Sequence, residues 1–158
     1  MSMPSCTQSS RCLGAGMPSD VAEWIGAVRL IQAASDAVRH SPLPSAMGPD
    51  HSDVRNSSML ALFTYGLARG IQGSLELEKR AGVEPGLRHL CAGELPTARA
   101  LRTFRRRHAP DIERALTKVL GMCWTECEHP EGLRPALEAE AQARVRSSIW
   151  VDAVNDES

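Results

Sequence analysis

Residues 59–67, MLALFTYGL, narrow the possible folds more than any other part of the chain. They are apolar on nearly every side and lack the alternation of a half-exposed strand. Ser57 or Ser58 can open a helix there, and Gly70 can close it. A helix apolar all round belongs at the centre of a bundle, because no face of it is suited to water. Composition agrees: aromatic residues make up only 4%, while Ala, Leu, Arg and Glu are plentiful, which favours helices over a sandwich or barrel. With 158 residues the chain has room for one ordinary domain with flexible ends. The expected fold is all-α, a compact multi-helix bundle with a helix-turn-helix-like core and flexible N- and C-terminal extensions.

The neighbouring segments fit that plan. Ser74 is placed to cap a helix with Glu76 and Glu78 in its first turns and Lys79 and Arg80 towards its end, the charge order a helix dipole favours. Gly82 ends it, and Pro85 to Cys91 supplies a short element carrying Leu87, Leu90 and Cys91. Next comes PTARALRTFRRRH, Pro96 to His108. Thr97 can cap this helix, and Ala98, Leu101, Phe104 and Arg105 share one face. Arg99, Arg102 and Arg106 take the other. Pro110 suits the first turn of a further helix, on which Ile112, Leu116, Val119, Leu120 and Cys123 recur at helical spacing. Residues 56–127 thus form a compact helical unit, of a size at which small domains fold alone.

On either side the chain is less regular. Residues 1–18, rich in Ser, Gly, Pro and Cys, read as a disordered lead-in. Residues 19–39 form an amphipathic helix, with Val21, Trp24, Ile25, Val28, Ile31 and Val38 along one face. The Pro- and Gly-containing stretch 40–55 reads as a linker, so this helix is expected to dock loosely, on the bundle or on another chain. Residues 128–158 hold a break, a polar helix whose thin stripe (Leu137, Ala141, Val145, Ile149) predicts weak packing, and an acidic tail.

Net charge is −1, with 18 basic and 19 acidic side chains, so only the distribution of charge can speak for a polyanionic partner. Residues 99–108 carry five arginines and no acid, whereas the stretch from Asp152 to Glu157 is acidic. An arginine-lined helix with an apolar seam is what phosphate binding or groove reading requires, and equally what a solvated surface helix looks like. Cys6, Cys12, Cys91, Cys123 and Cys127 follow no framework spacing, and the first residues do not resemble a secretory signal; reduced thiols in a cytoplasmic protein are the simplest account. Cys123, Cys127 and His129, with Cys91, could be arranged around a metal, but their spacing matches no usual zinc pair, and structural thiols are the reading preferred. No apolar run is long enough to cross a membrane. The histidines are scattered, with neither a nucleophile–base pairing nor a Gly-rich phosphate loop. The chain is therefore expected to be no enzyme by itself and to need no cofactor.

From about Ser58 to Trp124 the blocks MLALFTYGLARGIQGSLELEKR, HLCAG, ELPTARALRTFRRRH and IERALTKVL resemble, in order and spacing, the N-terminal helical domain of insertion-sequence transposases. The matching positions are Tyr65, Gly70, Ser74, Glu78, Gly93, Pro96, Phe104, Arg105, Arg106 and His108. The family's Pro-Asp-His step is Pro96-Thr97-Ala98 here, and one serine of its Ser-Ser pair is Gly73. Beyond Trp124 the likeness ends. Residues 149–154, IWVDAV, echo the strand that carries the family's first catalytic aspartate, but Ala153 stands where the family has glycine, and Asp152 is given no catalytic role. The resemblance implies a DNA-binding domain without the Asp-Asp-Glu catalytic domain, recognising terminal inverted repeats. The residues carried forward for DNA contact are Arg99, Arg102, Arg105, Arg106, Arg107 and His108. The alternative is a non-catalytic remnant that pairs with itself, as a homo-oligomer, or with full-length transposase.

Overall fold

The computed structural model describes residues 19–39, 51–124 and 130–156. Seven helices are described: α1 (Ala22–Ile25), α2 (Ala27–Arg39), α3 (His51–Ala68), α4 (Ser74–Val83), α5 (Pro85–Leu90), α6 (Ala98–Trp124) and α7 (Pro130–Asp156). No strand occurs among the described residues. The fold is a compact all-helical bundle.

The apolar run forms the buried centre, as its sequence requires. Leu60, Leu62, Phe63, Tyr65 and Leu67 on α3 are all within 2% of complete burial. The helix starts earlier than expected, at His51, so residues 51–55 are helical rather than linker. Its end follows from Gly70. The Ile71 amide donates to the Gly66 carbonyl and the Gly70 amide to the Leu67 carbonyl, the paired bonds of a Schellman closure, which needs a left-handed residue. Gly70 has φ +77°, and a Cβ there would lie 2.8 Å from the Ser19 carbonyl oxygen.

The remaining carbonyls at the C-terminal end of α3 are met from far along the chain. The Arg144 guanidinium on α7 donates to Ser19, Leu67 and Ala68 carbonyl oxygens at 3.2, 2.9 and 3.2 Å, and its Nε donates to Glu140 at 2.7 Å. A cation there complements the negative end of the helix dipole. Arg69 lies beside it, 3.5 Å from Asp20 and 2.8 Å from Glu84. The first and last described segments are thereby tied to the end of the central helix.

The segment 19–39 is not one helix but two. Gly26, at φ +85°, separates α1 from α2 and turns the apolar face. Val28, expected inside, is 69% exposed. Leu30, Ala34, Ala37 and Val38 are buried in its place and join the same core as α3 and α6. Far from docking loosely, α2 packs against α3, α5 and α6.

The helix α6 is the organising column, packed on α2, α3, α4 and most extensively on α7. Its start is capped twice: Thr97 Oγ1 accepts from the Ala100 amide at 3.2 Å, and Glu78 of α4 accepts from the Ala98 amide at 3.0 Å. The helix expected to end at His108 and the one expected to open at Pro110 abut within α6 at a kink, where His108 leaves helical geometry (φ −119°, ψ 22°), because proline lacks an amide and its ring crowds the carbonyl one turn back. The buried face continues across the kink through Ile112, Leu116, Val119 and Leu120.

The polar helix packs better than its thin stripe predicts. Leu137, Ala141 and Val145 of α7 are buried as their spacing requires, but Arg144, Ser148 and Asp152 are buried with them. Of the acidic tail expected over residues 152–158, residues 152–156 belong to the last turns of α7, and residues 157–158 lie outside the described residues. The echo of a strand at 149–154 is therefore helix.

Candidate functional site

Asp152 and the arginines of α6 form a polar centre inside the bundle. Arg105 is 1% exposed and Asp152 2%, and the Arg105 guanidinium is ion-paired to the Asp152 carboxylate. The other Arg105 terminal nitrogen donates to the Gln72 carbonyl at 3.3 Å, and the guanidinium lies 5.5 Å from the centre of the Phe63 ring. The Ser74 amide and hydroxyl both donate to the same carboxylate, at 2.8 and 2.6 Å. Ser74 was expected to cap α4 with its own side chain; instead α7 supplies the cap from outside. A carboxylate at the amino end of α4 meets that helix's free amides and the positive end of its dipole.

Burial, followed by the charges of Arg106 and Arg102, pulls the Arg105 pKa down to about 10. That is still well above neutral pH, so Arg105 carries its charge under ordinary conditions. The Arg105 Nε, also buried, has no hydrogen-bond partner among the described residues.

Around this centre the five arginines named as candidate DNA contacts separate into three groups. Arg105 is corrected outright: it is enclosed, bonded to Asp152, and presents nothing to a ligand outside. Arg102 and Arg106 lie on the side of α6 that meets the end of α7. Arg102 is ion-paired to Asp156 and sits 3.9 Å from Asp152, while Arg106 is 3.8 Å from Asp156. The His108 ring lies 4.5 Å from that of Phe104, and its Nδ1 is 3.2 Å from Asp111. Phe104 in turn stacks on Phe63 at 6.0 Å. These contacts pack His108 at the kink, and the residue also lines the groove that Arg99 and Arg107 border.

Arg99 and Arg107 form the third group. Both are exposed, and among the described residues neither has an ion-pair partner. Together with Arg55 on α3 they line an open groove of about 470 Å³, with Met59 and Phe104 on its apolar side and Asn56, Thr97 and Thr103 contributing polar groups. Arg55 is only loosely paired, 3.9 Å from an exposed Glu94. Its part was missed in the sequence because it lies in what read as linker. The extension of α3 back to His51 brings it opposite the arginine helix.

The metal reading cannot be followed to its end: Cys127 and His129 lie outside the described residues, as does the side chain of Cys123. Among the described residues no group of three or more His, Cys, Asp or Glu could hold a metal ion. Cys91 is buried, which pushes its thiol pKa up. No described helix is long and apolar enough to cross a membrane.

Fold and site together define an all-helical bundle with an internal arginine–aspartate centre and an arginine-rimmed external groove. Comparison with protein-family models, curated proteins and solved structures returns no match.

Proposed function

We propose that the chain is a non-catalytic, DNA-binding helical module that holds duplex phosphates in the groove rimmed by Arg55, Arg99 and Arg107. The observation that carries this reading is the contrast within one helix: Arg99 and Arg107 stand exposed with no ion pair among the described residues, although acids neutralise the arginines between them. Guanidinium groups in that state suit phosphate oxygens, which they meet through parallel N–H donors. Thr97, Thr103 and Asn56 add neutral donors of the kind that position a backbone without reading sequence. The resemblance of residues 58–124 to the N-terminal domain of insertion-sequence transposases supports the same partner and suggests terminal inverted repeats as its natural target. Binding to duplex DNA should weaken steeply with added salt, since each neutralised phosphate releases counterions. Titration of labelled duplex at several salt concentrations tests this, and absent or salt-insensitive binding rejects it.

A second reading, self-association or pairing with an intact transposase, draws on the outer face of α7, where Trp150 is 67% and Val154 43% exposed one turn apart. Light scattering of the wild-type chain and of Trp150→Ser separates the two readings: a monomer in both cases removes self-association.

A further inference from the structure

Asp152 and Asp156 both hold arginines of α6, but in different ways. Asp152 is sealed in the core and cannot leave without unpacking α7. Asp156 is the last residue of α7, its side chain 39% exposed, and it faces Arg102 and Arg106 from the rim. The last turn of α7 carries no base, so both acids sit at the negative end of their own helix, where carboxylates are unfavourable. The arginines of α6 offset that for both, and Asp152 is held by Ser74 as well. Arg102 is partly buried, but Arg106 and Asp156 are both exposed, and exposed ion pairs are weak, about 0–1 kcal/mol, so the hold on Asp156 opens from its Arg106 side. Arg99, Arg102 and Arg106 follow one another at helical i,i+3 and i,i+4 spacing, which sets the two paired arginines beside the unpaired one.

We propose that Asp156 is a displaceable internal counter-ion: it occupies Arg102 and Arg106 in the free protein, and the phosphates of a polyanion take its place. This rests on the phosphate-binding reading above and extends that surface from the groove around α6 towards the end of α7. A carboxylate and a phosphate engage guanidinium through the same pair of donors, so the exchange needs no rearrangement beyond the final turn, and Asp152 keeps the rest of α7 in place.

The test compares Asp156→Asn, and Asp156→Ala as a second variant, with Glu23→Gln, which removes the same charge from α1. Binding of a short duplex DNA is measured across salt concentrations, after circular dichroism establishes that each variant is folded. The expected result is a several-fold gain in affinity over Glu23→Gln at low salt. The salt slope should stay close to that of wild type, because the phosphates reach Arg102 and Arg106 in both once Asp156 is displaced. In an Arg102→Ala/Arg106→Ala background the extra gain should vanish. A gain no larger than that of Glu23→Gln, or one that survives without the two arginines, overturns the counter-ion proposal. Wild-type protein that binds no DNA removes the groove reading; the counter-ion proposal falls with it only if the Asp156 variants are equally silent.

Discussion

Arg105 and Arg107 stand two positions apart on one helix and have opposite surroundings. Arg105 is enclosed between α6, α7 and the amino end of α4, bonded to Asp152 and to a backbone carbonyl. Arg107 lines an open groove and makes no ion pair among the described residues. An α-helix turns about 100° per residue, so two positions carry a side chain to nearly the opposite face. A run of three arginines therefore spans the inside and the outside of the bundle. Chemically identical residues serve as a structural cation in one place and stand as an exposed cation in the other, and the acids of α7 decide which.

The inner half of that contrast breaks most sharply at Asp152. Replacing it with alanine leaves Arg105 charged and unpaired in the core and strips the cap from α4, which should cost about 3–5 kcal/mol. Urea denaturation measures it. A buried pair contributes little net stability over an apolar replacement, but losing one partner is expensive. Arg105→Met combined with Asp152→Asn should therefore recover much of the loss, since Asn can still accept from the Ser74 amide. A double variant as unstable as Asp152→Ala would show that the charge pair itself, and not the orphaned cation, dominates.

The outer half breaks at Arg99 and Arg107. Changing both to alanine should weaken duplex binding by about tenfold or more and reduce the salt slope by about two. Stability should stay within about 0.5 kcal/mol of wild type, as for other surface changes. Equal losses of affinity from Arg99→Ala/Arg107→Ala and from a distant exposed pair such as Arg29→Ala/Arg88→Ala would mean that overall charge, and not the groove, governs binding.

The difference between these halves explains what the sequence could and could not disclose. Spacing alone put Ala98, Leu101, Phe104 and Arg105 on one face, and all four are buried. It could not name the partner of Arg105, because Asp152 lies on another helix and its stretch, read locally, is simply acidic. Local composition made a tail of what tertiary contact makes a counter-charge. The same limit applies at Gly26, whose left-handed conformation rotates the α2 face and carries Val28 into solvent; the apolar spacing ran smoothly across it. Arg55 escaped notice because prolines and glycines before it suggested linker, whereas the stability of α3 comes from burying its later residues, and that carries the helix back to His51. Where burial follows helical period, as in α3 and the body of α6, the sequence was sufficient.

A cap joins the two halves. Thr97 holds the first turn of α6 and also lines the groove. Thr97→Ala should cost about 1 kcal/mol through the lost cap, read as a modest fall in the denaturation midpoint. If the first turn frays, Arg99 loses its fixed position and affinity falls with it. Thr97→Ser keeps the cap and should restore both stability and affinity; restored stability without affinity would assign the threonine methyl a role in the groove.

The smallest expected effect lies at Arg106, and it defines the boundary between inner and outer behaviour. Its side chain is 67% exposed and stands 3.8 Å from Asp156, a distance and exposure at which ion pairs are worth almost nothing to folding. Arg106→Ala should therefore change stability by less than about 0.5 kcal/mol, and raising the salt concentration should shrink even that. Arg105→Ala, one residue away, leaves Asp152 buried without its main cation and should destabilise severalfold more. Similar losses at the two positions would mean that the end of α7 is held as firmly as its middle. That result would place Asp156 among the structural acids, and Arg106 with Arg105 among the structural cations.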